Sequence, residues 1–234
     1  MIPGGGGFLF VTRLAITQTT LTTAANDDST DATSYSTGSF TPSANKLVIM
    51  AVQSSKLTLP DIPTVTGNNL TWVSIATISV TDTIRLTLFR AMGSAPSAGA
   101  ATIDFAGNTQ TSCAWSITEF TNTDQTGTNG SGAIVQSATN TATGAPISSP
   151  FIVTLSAFAN PLNATYVAAA GDIDTSGLNA DTGWTQIQNF GPAASPTRGG
   201  SSSWKNSSDT TAEVAVGGTV ANVAGIAIEI KSVY

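Results

Sequence analysis

The sequence predicts an all-β protein: a two-sheet, jelly-roll-like β-sandwich of about a dozen short strands with no substantial helix. Three observations carry that reading. Apolar residues come in short runs rich in Val, Ile, Leu and Thr, several of them alternating at period two. Clusters of Gly, Pro, Asn, Asp and Ser separate the runs, and no stretch repeats its apolar residues at the 3.6-residue spacing of a capped helix. At 234 residues the chain is also long enough to bury a core without a disulfide or a metal.

Residues 1–9 (MIPGGGGFL) form a glycine-rich arm, and residues 10–21 read as a first strand, FVTRLAITQTTL. The Gly4 to Gly7 run lacks the Lys-Ser/Thr of a phosphate loop. The apolar stretch at Phe8 to Val11 is too short, and too poor in preceding basic residues, for an export signal. Residues 22–38 make a polar connection in which Asp27, Asp28 and Asp31 match no EF-hand spacing. Residues 44–53 (ANKLVIMAVQ) are the most concentrated apolar run. Leu47, Ile49 and Ala51 alternate there with Val48, Met50 and Val52, so both faces of this central strand require cover.

Two prolines in 56–63 (KLTLPDIP) make that segment a rim loop or short edge piece. Residues 70–80 and 83–91 form a hairpin in which Ile84, Leu86 and Leu88 face the core. After the loop at 93–99 come strands at 100–105 and 111–121 (TSCAWSITEFT). A Thr/Asn/Gly/Ser tract at 122–149 holds one strand candidate at 133–137. Further strands follow at 151–158, 164–170, 185–188, 201–206, 213–216 and 224–231. Residues 10–234 thus form one sandwich domain, with two small β domains split near residue 130 as the alternative. The halves echo each other loosely, without a fixed period.

Charged residues are 9% of the chain, against roughly 25% in an ordinary soluble domain, and eight basic residues face fourteen acidic ones. That balance argues against nucleic acid, and no 18-residue apolar run crosses a membrane. Histidine is absent and Cys113 is the single cysteine, which removes Ser-His-Asp and Cys-His catalysis, His- or Cys-ligated zinc and any internal disulfide. No cofactor is expected, and Cys113, beside Trp115 and Ile117, reads as buried and inert.

Glu119 shares a strand face with Cys113, Trp115 and Ile117 and is the best general-acid candidate, although a glycosidase needs a second carboxylate opposite it. Asp104 and Asp124 are supplied only by proximity in sequence, and an ion pair with Arg85 or Arg90 is the simpler fate for Glu119. Asp61, Asp82, Asp172 and Asp174 read as turn residues. Trp72 and Trp115 belong to the core. Trp184 and Trp204, beside Gly and Ser/Asn turns, are the candidate glycan contacts of a carbohydrate-binding or adhesive alternative.

The order ANKLVIMAVQSS, IPTVTGNNLTWVSI, TIRLTLFRAM, SAPSAGAATIDFAG and CAWSITEFTNTDQTGTNG resembles a family of β-sandwich modules found in tailed-phage structural proteins and in secreted bacterial surface proteins. The segments PFIVTLSAFANPLNATYVAAAG, GWTQIQ and VAGIAIEIKS are similar to that family's later strands, so the likeness covers about residues 10–231. It implies a non-enzymatic virion structural protein of a tailed phage, a capsid decoration or cement protein at the virion surface. A lone module without an export signal leans toward the virion members rather than the secreted, extracellular ones. The partners implied are copies of itself, as a trimer or lattice, and a major capsid or other virion protein. Exposed sheet edges and scarce charge support such association. Phe8, Leu9, Phe10 and Val11 are the candidate docking residues, seating on a neighbour or adding a strand to its edge, with the start of the first strand of their own sandwich as the alternative.

Overall fold

A computed structural model describes residues 14–22, 27–173, 177–192, 197–218 and 220–233. Residues 1–9 and the docking candidates Phe8, Leu9, Phe10 and Val11 lie outside the described residues. The first half contains β1 (Thr17–Thr20), β2 (Asp27–Asp28), β3 (Ser34–Ser36), β4 (Leu47–Ser55), β5 (Thr64–Gly67), β6 (Val73–Val80), β7 (Ile84–Ala91), β8 (Ala101–Asp104) and β9 (Ser112–Thr121). In the second lie β10 (Ile134–Thr143), β11 (Phe151–Thr154), β12 (Ala164–Gly171), β13 (Leu178–Ala180), β14 (Thr185–Phe190), β15 (Gly199–Lys205), β16 (Thr211–Val216) and β17 (Asn222–Ile230). The protein is all-β, and every strand pairing is antiparallel.

The sandwich occurs twice. A large sheet ordered β1-β9-β4-β7-β6, with β2 also on β9, stands against a small sheet β3-β8-β5. The second half repeats both, as β10-β17-β12-β15-β14 and β11-β16-β13. In each half the outermost strands in sequence pair, then the next inward, then the next: β1 with β9, β3 with β8, β4 with β7, and likewise β10 with β17, β11 with β16, β12 with β15. Those nested pairings are what a long hairpin produces when it rolls up, which is the jelly-roll character of the fold. Where the sequence predicts two sheets and about a dozen strands, the structure has four sheets and seventeen strands among the described residues. The four added or split pieces that pattern reading does not resolve, β2, β3, β5 and β13, are two to four residues long.

The two large sheets pack face to face, giving four layers. Leu47, Ile49, Ala51, Ile84, Leu86, Leu88 and Phe120 of the first half meet Tyr166, Ala168, Phe190, Ile226, Ile228 and Ile230 of the second in one central core. The opposite face of β4 and β9, with Met50, Val52 and Trp115, packs on Tyr35, Ile103 and Phe105. The opposite face of β12 and β17 packs on Phe151, Val153, Leu178 and Val214. This is why β4, β9, β12 and β17 carry apolar or small residues at nearly every position, since an inner layer has no solvent side. Between the large sheets the Ser116 and Ser202 hydroxyls hydrogen-bond at 2.7 Å, so the facing polar groups satisfy each other.

Matching the registers gives residue-level equivalence. β6 and β14 each carry a β-bulge, at Ile75 and at Ile187, and both isoleucines turn onto the central core. Trp72 and Trp184 both stand three residues before that isoleucine and pack into the outer core of their own half. Glu119 and Glu229 fall at the same place, opposite the residue after the first residue of β4 and of β12. The loops differ in length between the halves, so equivalent positions keep no constant spacing.

Candidate functional site

Glu119 and Glu229 are 6% and 0% exposed, each near the end of its half's last strand and on the side of the small sheet. Glu119 accepts hydrogen bonds from the Ser43 backbone N–H and hydroxyl, both at 2.9 Å, in place of the ion pair with Arg85 or Arg90 that the sequence suggests. Arg85 instead donates Nε to the carbonyl of Pro60 at 2.6 Å. Glu229 accepts from Gln136 Nε2 at 2.6 Å and Asn163 Nδ2 at 2.5 Å. In both halves the carboxylate therefore latches the segment that leads into β4 or β12. Of the carboxylates considered opposite Glu119, Asp104 accepts from the Ala106 N–H and Asp124 pairs with Lys231 at 2.6 Å. Burial acts to raise the Asp124 carboxyl, but Lys231 and Thr126 outweigh it and hold it at about 2.

The aromatic candidates face inward. Trp184 is 8% exposed within the second outer core, and Lys205 Nζ lies 5.6 Å from its ring centroid. Trp204 is half-buried against the central core, with Phe120 at 5.6 Å in an edge-to-face contact. The open pair of indole faces that a sugar platform needs is not assembled by these two residues. Cys113 is buried, and burial pushes its thiol well up, with Asp28 adding to the effect. Asp27 and Asp28 pair with β9 as β2, and Asp28 accepts from the Thr30 N–H.

What the sequence does not single out is the surface that residues 56–63 present. Leu57 is 89% exposed, and Leu59 and Ile62 are exposed beside it. The loop is braced from behind. Lys56 N–H donates to the Thr83 carbonyl, Lys56 Nζ bonds Asp61 at 2.9 Å, and Gln110 Nε2 bonds the same carboxylate at 3.0 Å. Arg85 holds the Pro60 carbonyl, and the buried Gln110 also accepts from the Asp61 N–H. These contacts hold Asp61 below the usual carboxylate range, first through the Lys56 bond and then through Gln110. A cavity of about 290 Å³ opens beside Leu57, lined also by Lys56, Asp31 and Thr111 and by Arg198 of the second half. The available signal was three apolar residues, Leu57 and Leu59 just before Pro60 and Ile62 between Pro60 and Pro63, in a loop where composition alone favours polar side chains.

No family model, curated protein or solved structure matches this chain.

Proposed function

We propose that this chain is a non-enzymatic structural protein of a tailed-phage particle, a capsid decoration or cement protein that sits at the virion surface against copies of itself and a major capsid or other virion protein. The observation that carries the reading is the braced loop at 56–63. Three apolar side chains are held in water by a backing of five hydrogen bonds, one of them the Lys56–Asp61 ion pair, among Lys56, Pro60, Asp61, Thr83, Arg85 and Gln110. A loop ordered before it meets its partner loses little entropy on contact, which is what a permanent contact surface requires. The buried glutamates support the same reading, since both are committed to holding their own chain. A four-layer body with its large sheets locked together suits a part that bears load. The expectation is that mass spectrometry of purified particles finds the chain at many copies per particle. Its absence from particles, with recovery in a secreted fraction, overturns the reading.

A further inference from the structure

The first and last described residues meet at one end of the body, through Asn122, the residue after β9. Its Nδ2 donates to the Ala15 carbonyl at 2.7 Å, and its own carbonyl accepts from the Val233 N–H at 2.9 Å. Leu14 and Val233 are both exposed there. A hollow of about 430 Å³ opens beside Val233, lined also by Asp124, Gln125, Thr126 and Ser232. A cavity of about 150 Å³ holds a benzene ring, so this one has room for a phenylalanine side chain.

The sequence just ahead of Leu14 supplies the apolar side chains Phe8, Leu9, Phe10 and Val11. Reach decides which surface they can meet. An extended chain covers at most about 3.6 Å per residue, so Val11 lies within about 11 Å of Leu14 and Phe8 within about 22 Å. The exposed Leu57 loop stands at the opposite end of β9, where Ser55 pairs with Ser112, and a ten-residue strand is about 30 Å long. The chain's own segment can therefore reach the hollow beside Val233 and cannot reach that loop.

The second half shows where a segment that precedes such a strand goes. Thr19 of β1 and Gln136 of β10 stand opposite the equivalent Glu119 and Glu229, so β10 answers to β1. Ahead of β10, Ala133 enters the central core as Ile16 does ahead of β1, and Gly130 lies against Leu47 and Met92 of the other half, where a Cβ would come 2.9 Å from Leu47 Cδ1. The counterpart of Leu47 is Ala164, since the two pair with the equivalent Phe120 and Ile230. Ala164 follows Asn163, whose Oδ1 accepts from the Ser232 N–H. A crossing of the same kind ahead of β1 thus leads toward Ser232 and Val233.

We infer that residues 8–11 dock on their own chain, in the hollow beside Val233, with Phe10 as the side chain that fills it. Phe10 falls on the same strand parity as Ile16, which is buried in the central core. Seated there, the segment belongs to the body of its own chain, and contact with other copies falls to surfaces such as the braced loop at 56–63. No particle or partner enters the test, so its outcome is independent of the structural-protein reading.

The test is thiol cross-linking of the full chain with a short bis-maleimide. Cys113 is buried, so the introduced thiols are the ones that react. Phe10→Cys combined with Val233→Cys is expected to link within one chain, with a yield that does not change on dilution. Gln125→Cys, at an exposed position of the same hollow, replaces Val233→Cys if that variant does not fold. An equimolar mixture of the two single variants is expected to stay unlinked. Phe10→Asp should lower the melting temperature by about 3–10 °C, the effect of losing one buried phenylalanine in a chain of this size. Covalent dimers in the mixture would make a neighbouring copy the occupant and overturn the inference. So would a doubly substituted chain that does not link at either position, or a Phe10→Asp variant that melts with the wild type.

Discussion

Replacing each latch glutamate with glutamine keeps its shape and changes only its hydrogen bonding, and the two sites should respond unequally. At Glu229 both partners are amide donors whose orientation is set elsewhere. Gln136 also donates to the Ser156 carbonyl and accepts from the Ser156 N–H, and Asn163 Oδ1 accepts from the Ser232 N–H. Neither amide can turn its oxygen inward without breaking those bonds. Glu229→Gln therefore points an NH2 group at another NH2 group. One charge-assisted bond is lost, worth about 1.5–3 kcal/mol, and a buried donor left unpaired adds about 1 kcal/mol or more. Removing a buried charge offsets part of this, leaving about 3 kcal/mol.

At Glu119 the partners are the Ser43 N–H and hydroxyl. A hydroxyl rotates to accept as readily as it donates, so Glu119→Gln keeps both contacts and loses only charge assistance, about 1 kcal/mol. At about 2–4 °C per kcal/mol for a chain of this size, melting should fall by about 10 °C for Glu229→Gln and about 3 °C for Glu119→Gln. Scanning calorimetry at neutral pH measures both, in a single transition because the halves share the central core. Equal losses, or a larger one at Glu119, would refute the donor-orientation argument.

Two further outcomes follow from groups already described. Asp124 is held at about 2 from an ordinary 3.8, and a carboxylate depressed in the folded state stabilises above its unfolded pKa and loses that contribution as pH falls through the folded one. Asp124→Asn should thus remove up to about 2 kcal/mol at neutral pH and flatten the urea-measured loss of stability between about pH 4 and 2; an unchanged pH profile would sink that account. Cys113, 1% exposed with its thiol pushed up by burial, should react with a thiol reagent only as fast as the chain unfolds, and labelling at the rate of an exposed thiol in native buffer would contradict it.

Much of the fold was legible locally. The unbroken apolar run at Leu47 to Val52 announced a strand covered on both faces, because an outer strand would alternate with polar residues. The prolines of 56–63 kept that segment out of the sheets, and the alternation of Ile226, Ile228 and Ile230 marked the face that now lies in the central core. The candidate surface was less legible. Leu57, Leu59 and Ile62 read as ordinary loop residues until Arg85 and Gln110, distant in sequence, are seen bracing the backbone that carries them.

The doubling of the sandwich left only a faint trace: a Trp three residues before a bulged Ile, at Trp72 and Trp184, and one glutamate near the end of each half's last strand. By itself, the sequence determined which segments extend and which faces must be dry, because those follow from side-chain alternation and turn chemistry within a few residues. Only the tertiary structure decided what makes them dry. The partner of a central strand's apolar face is a second sheet more than a hundred residues away, and nothing in a period-two pattern states whether that cover is solvent-facing sheet, a neighbour or the chain's own second half.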